Sequence, residues 1–138
     1  MIKQALLLVL LICALPVSAE NLQITDAWIK NLPAVVPVRA GYMKISNTQS
    51  QDITILSLDS KLFEGIHIHQ TFEVDGVTSM RAIGDLTIRA GESLELAPGG
   101  FHLMMMSPLE ELSPGQKVVV TLHYQGQKTQ TIEMVVRK

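Results

Sequence analysis

Cysteine is almost missing from this chain. The single one among 138 residues, Cys13, sits in an apolar N-terminal run. If that run is removed, the remainder has no thiol, which excludes disulfides, thiolate metal ligands and a cysteine nucleophile. Positive charge is scarce and scattered: 11 Lys and Arg face 13 Asp and Glu, for a formal net charge of −2. Without a basic stripe the chain is not built to track nucleic-acid phosphates. Long apolar runs are also lacking. The longest, Ala5–Val17, falls short of the roughly 20 residues a spanning helix needs. No linker, low-complexity tract, internal repeat or sustained helical periodicity divides the rest of the chain.

The N-terminal run has a different reading. Lys3 precedes it, and Ser18, Ala19 and Glu20 end it. A basic n-region, a short apolar h-region and a small-residue cleavage site make residues 1–19 a predicted secretory leader, removed to leave a single domain over 20–138. The residues before Cys13 (Leu10, Leu11, Ile12) lack the small side chain expected ahead of a lipidated cysteine. The mature chain is therefore expected to be exported, soluble, monomeric and not embedded in the membrane. It is long enough for one hydrophobic core without staples.

Short β-type runs alternate with turn signals along the mature chain. Strands are expected near 22–30, 38–47, 52–59, 64–74, 77–84, 86–89, 93–97, 101–106, 117–124 and 128–137. Asp75-Gly76, Ala90-Gly91, Pro98-Gly99-Gly100, Pro114-Gly115 and Gly126 punctuate them. That pattern predicts an all-β antiparallel sandwich or Greek-key barrel. Alternation in 118–124 places Val118, Val120 and Leu122 in the core and turns His123 outward.

Two segments carry more than this. In 64–71, Ile66 and Ile68 share one face, His67 and His69 the other. Asp75-Gly76 predicts a two-residue type I′ hairpin. That turn pairs residues whose numbers sum to 151, so Met80 lies opposite Thr71, diagonal to His69. In Phe101-His102-Leu103-Met104-Met105-Met106, His102, Met104 and Met106 project to one side and Phe101, Leu103 and Met105 to the other. Three consecutive methionines cannot all face one core. Met105 belongs inside by parity, as do Met43 and Met134 as ordinary fillers, and Met106 is held as a lid or weak ligand. His69, Met80, His102 and Met104 form the candidate metal set. Two imidazoles and two thioethers are neutral and soft, which favours copper(I) over zinc, calcium or magnesium. Both imidazoles must be neutral to bind.

His69, ten residues, Met80, twenty-one residues, then His102-Leu103-Met104 resembles the His-X10-Met-X21-His-X-Met signature of the periplasmic copper chaperones called PCuAC. Asp75-Gly76-Val77 before Met80-Arg81, the Pro98-Gly99-Gly100-Phe101-His102-Leu103-Met104 block, Asp26–Ile29 and Tyr42–Asn47 are similar as well. The resemblance spans about residues 22–137. It implies a cupredoxin-like Greek-key β-barrel, a periplasmic copper(I) carrier rather than an enzyme, delivery to the copper site of a respiratory cytochrome c oxidase, and often a thioredoxin-like thiol partner. Thr78 and Ser79 stand where many relatives have a further methionine, and His67 where an acidic or polar residue is usual. The chain ends at Arg137-Lys138, so the Met- and His-rich copper(II) tail of some relatives is not expected. Competing readings are a copper-buffering protein without directed delivery, a structural β-sandwich, a mononuclear copper oxidase, which would want an N-terminal histidine where Glu20 is expected, and a blue-copper carrier, which needs a cysteine ligand.

Overall fold

The computed structural model describes residues 21–138; the predicted leader, with Cys13, lies outside them. Ten strands succeed one another: β1 Gln23–Lys30, β2 Val38–Ser46, β3 Ile53–Asp59, β4 Phe63–Val74, β5 Val77–Ile83, β6 Leu86–Ile88, β7 Ser93–Leu96, β8 Phe101–Pro108, β9 Lys117–Tyr124 and β10 Lys128–Arg137. Each corresponds to a run expected from β-branched and apolar alternation between turn residues, with ends shifted by at most two positions. A single 3-10 turn, Gln125–Gln127, links β9 to β10.

Eight strands close a barrel in the order β3-β4-β8-β7-β2-β1-β10-β9, with β9 returning to β3. Closure removes the exposed sheet edges that an open sheet would leave. β5 and β6 stand outside the ring, on β4 and β3 respectively. Most pairings are antiparallel, as expected from short strands joined by tight turns. Two are parallel: β1 with β10, and β7 with β8. The first joins the two ends of the described chain, the second two strands linked through the Pro98-Gly99-Gly100 turn. Strand alternation within a segment carries no information about either.

The inward faces make one core. Ile29, Met43, Ile45, Leu103, Met105, Val118, Val120, Leu122 and Met134 are essentially inaccessible. Met105 thus sits inside, as parity requires, and Met43 and Met134 are core fillers as expected. At about 1.5–3 kcal/mol for each large apolar side chain buried, this core dominates the favourable side of folding. β2 also pairs with β8, Gly41 opposite Leu103. A Cβ at Gly41 would lie 3.1 Å from the Met105 sulfur, 3.1 Å from the Met134 methyl and 3.2 Å from Leu103 Cβ. A larger residue at position 41 would make the Met105 and Met134 side chains give by a few tenths of an ångström. The contact holds the backbone of β8 against the core, and with it the orientation of its outward side chains.

The feature that matters most for function is the split along β4. Its lower part pairs with β3, through Ile66 opposite Leu58. Its upper part, from Ile68 onward, pairs with β5. The β4–β5 hairpin therefore rises from the barrel. Asp75 and Gly76 at its tip both adopt positive φ, +52° and +77°, the conformation a type I′ turn requires.

Candidate metal centre

The hairpin register is the one that the turn dictates: Thr71 pairs with Met80 and His69 with Ala82. Met80 is consequently one step diagonal from His69 on the same face, and it is 57 % exposed. On the other side of β4, β8 supplies the partners. His69 lies directly opposite His102, His67 opposite Met104, and Gly65 opposite Met106. Residues directly opposite in an antiparallel pair project to the same side, so all of these share the outer face of the barrel. The inner face of β8 at this level is Leu103 and Met105, both buried. The predicted alternation is observed over Leu103–Met106, whereas at the start of the block His102 is buried and Phe101 only partly so.

The two imidazoles are the centre of the arrangement. Their ring centroids lie 5.8 Å apart, with planes inclined by 54°. His102 is only 6 % exposed despite its outward parity. Its Nδ1 stands 3.3 Å from the carbonyl oxygen of Gly100. A proton on Nδ1 donated to that carbonyl would leave the Nε2 lone pair free, the usual way a backbone oxygen fixes a ligating tautomer. The same carbonyl accepts the Thr71 N–H at 3.0 Å, and the Gly100 N–H donates to the Ala97 carbonyl at 3.0 Å. The Pro98-Gly99-Gly100 turn, with Gly99 at φ +86°, thus anchors both β8 and the histidine ring.

His69 is half-buried, and its Nδ1 is buried with no hydrogen-bond partner. An orphaned ring nitrogen is costly unless something satisfies it. Burial, followed by the proximity of His102 and His67, holds its pKa below the ordinary histidine value. The local environment therefore favours neutral imidazole, the form able to donate a lone pair.

Two thioethers flank this pair: Met80 on β5, one row above on the hairpin side, and Met104 on β8, one row below. Among the described residues no group of three or more His, Cys, Asp or Glu converges as a metal set. An ion held here would have to recruit sulfur from methionine, and that donor set is soft and uncharged. His67 is exposed, Met106 is 36 % exposed, and His123 is turned away on β9, where its Nε2 meets the Asp59 carboxylate. Two relations were not derivable from the chain alone: the face-to-face placement of His69 and His102, and of His67 and Met104. Both depend on β4 lying beside β8, two strands more than 25 residues apart in sequence. No local turn fixes that pairing, though the shared outward parity of the two His/Met segments is its trace.

Comparisons with known proteins place the chain in a family. The family described as "Putative lipoprotein LpqE-like" matches residues 22–136. The "Putative lipoprotein Lxx21020" of Leifsonia xyli subsp. xyli is 32 % identical over 120 residues, covering 86 % of this chain and 71 % of that protein. The "Uncharacterized protein RP573" of Rickettsia prowazekii is 26 % identical over 95 residues, covering 68 % of this chain and 52 % of that protein. Among solved structures, the solution structure of CuI-DR1885 from Deinococcus radiodurans superposes with a TM-score of 0.68 at 26 % identity, over 82 % of this chain and 76 % of that one. The copper-bound PCuAC domain from PmoF2 does so with a TM-score of 0.71 at 15 % identity, over 87 % and 95 %. The chain belongs to the LpqE-like family, and its barrel has the cupredoxin-like fold of the PCuAC domains.

Proposed function

We propose that this protein is an exported, non-catalytic copper(I) carrier, in which His69, Met80, His102 and Met104 hold one ion and pass it to an acceptor. The observation that carries the reading is the facing pair of imidazoles, 5.8 Å between centroids, one with an orphaned buried nitrogen, flanked on the same face by two thioethers. Copper(I) is closed-shell, accepts trigonal or tetrahedral surroundings and prefers such neutral soft donors. The likeness to the copper(I) form of DR1885, at 26 % identity, supports the assignment.

Without thiolate, the site cannot be lost to disulfide formation in an oxidising compartment. That suits a periplasmic protein, freed from residues 1–19 by cleavage. The favoured acceptor is the copper site of a respiratory cytochrome c oxidase, with a thioredoxin-like thiol protein as an accompanying partner. The mature form is read as soluble; mass spectrometry of the exported chain separates this from lipidation at Cys13.

Anaerobic competition titration with a chromophoric chelator tests the centre. One copper(I) per chain is expected, with both sulfur and nitrogen in its X-ray absorption spectrum. Affinity no greater than that of a Met80→Ala, Met104→Ala variant would overturn the assignment. Transfer to a soluble copper-binding fragment of an oxidase tests the carrier role. Buffering without directed delivery predicts release no faster to that fragment than to a small chelator of equal affinity.

A further inference from the structure

The four proposed ligands do not exhaust the soft donors on this face. Below the His69–His102 row lies a second row, His67 opposite Met104, and below that a third, Gly65 opposite Met106. Successive rows are about 7 Å apart along the strands, and directly opposed side chains start about 5 Å apart across them. The His67 ring does not point away from this set. Its Nε2 lies 3.3 Å from where a Cβ on Gly65 would be. The ring therefore leans down β4 over the glycine, into the row of Met106, and the missing side chain at position 65 leaves room for it. Met104 stands between the two rows, able to face either.

Access favours this lower position. His67 marks the level at which β4 has left β3, last paired at Ile66, and has not yet met β5, first paired at Ile68. A cavity of about 340 Å³ occupies that split on the β3 side of β4; His67 and Gly65 border it, whereas Met104 and Met106 lie across β4 on β8. His67 and Met106 are both exposed, whereas His102 is buried. From the Met106 row up to the His69–His102 row the donors thus run from open to enclosed, and beyond that row the hairpin carries Met80, 57 % exposed.

We infer that His67 Nε2 and the thioethers of Met104 and Met106 form an outer position for copper(I), through which the ion enters and leaves the inner set. This rests on the copper(I) reading above. The step is ligand exchange. The bonds to His69, His102 and Met80 break as bonds to His67 and Met106 form, while Met104 remains attached as the pivot. The ion stays monovalent, no electron moves, and neutral imidazoles release no proton. A metal passed between overlapping ligand sets never has to be fully stripped of donors.

Silver(I), a closed-shell stand-in for copper(I), can be followed by NMR of methionine methyl groups and histidine rings. In the parent protein the first equivalent should move Met80 and Met104. In a His69→Gln, Met80→Leu variant it should instead move Met104, Met106 and the His67 ring. Met106 and His67 unmoved in that variant would overturn the outer position, even with the parent binding as proposed. Conversely, silver(I) at His67 and Met106 in the parent, with Met80 unmoved, would sink the inner assignment and leave the outer one standing. A His67→Ala, Met106→Leu variant should hold copper(I) with the parent's affinity, because the inner set is intact, but release it to a chelator several-fold more slowly, because the overlapping donor set is gone. An unchanged release rate would remove the entry and exit role.

Discussion

Met104 and Met105 are adjacent, yet substituting them should produce opposite phenotypes. Met105 is fully buried, with its sulfur over Gly41. Truncating a buried methionine to alanine removes its transfer free energy and leaves a cavity, together costing about 2–5 kcal/mol. For a domain of this size that lowers Tm by roughly 8–20 °C. Met105→Ala should therefore unfold markedly earlier, while the copper(I) stoichiometry of the folded fraction stays at one. Met104 is half-buried on the outer face. Met104→Leu conserves volume and should cost less than about 1.5 kcal/mol. It removes a proposed ligand, so affinity should fall by at least about tenfold, no less than the loss of a contact that merely supports a ligand. Thermal unfolding of the apo protein, paired with anaerobic chelator competition, reads both quantities on the same samples. If Met104→Leu proved as destabilising as Met105→Ala while binding survived, β8 would be in the wrong register by one residue, since such a slip exchanges the two faces.

Other outcomes rest on the same geometry. Copper(I) affinity should weaken as pH falls below about 6.5, where histidines begin to protonate; constant affinity between about pH 7 and 5 would argue against imidazole ligation. The depressed pKa of His69 means that the unfolded chain takes up this proton before the folded one. Its contribution to apo stability is thus complete above about pH 6.5 and is lost as pH drops toward the folded value, which urea titrations at several pH values would reveal. His123→Ala should leave affinity within about twofold, because that ring is engaged with Asp59 on β3 and β9; a loss beyond the roughly tenfold typical of a metal-site contact would place it at the centre after all. Gly76→Ala forces a side chain into a positive-φ turn position, at about 1–2 kcal/mol. Amide exchange along Thr71–Met80 should accelerate while the barrel core is unaffected, and unchanged protection would show that the turn does not set the hairpin register.

Much of this could be read from the chain because the governing interactions are local. Asp75-Gly76 fixed the pairing of Thr71 with Met80, and the observed φ values are those the turn demands. The parity of 101–106 separated ligand-facing from core-facing methionines before any partner strand was known. Closure of the barrel was less legible. The parallel pairing of β1 with β10 brings residues more than 100 positions apart into register, and nothing in the local pattern, which pointed to antiparallel strands, anticipated it. The bulge in β3 between Ile55 and Ser57 exposes Ser57 and buries Leu58, whereas simple alternation from Ile53 and Ile55 would put residue 57 inside and residue 58 outside. His67 was marked as a neighbour of His69, but its lean over Gly65 depends on side-chain packing that sequence spacing does not encode.

Among the described residues β5 is hydrogen-bonded to β4 and to no other strand. A ribbon fastened along one margin can peel back without unzipping the closed ring beneath it, so the sulfur at position 80 is mounted on a jaw whereas the imidazole at 102 is mounted on the anvil. Grip and release then become a question of how often a few ladder bonds break, an equilibrium that an approaching acceptor could bias simply by competing for the free margin of that ribbon.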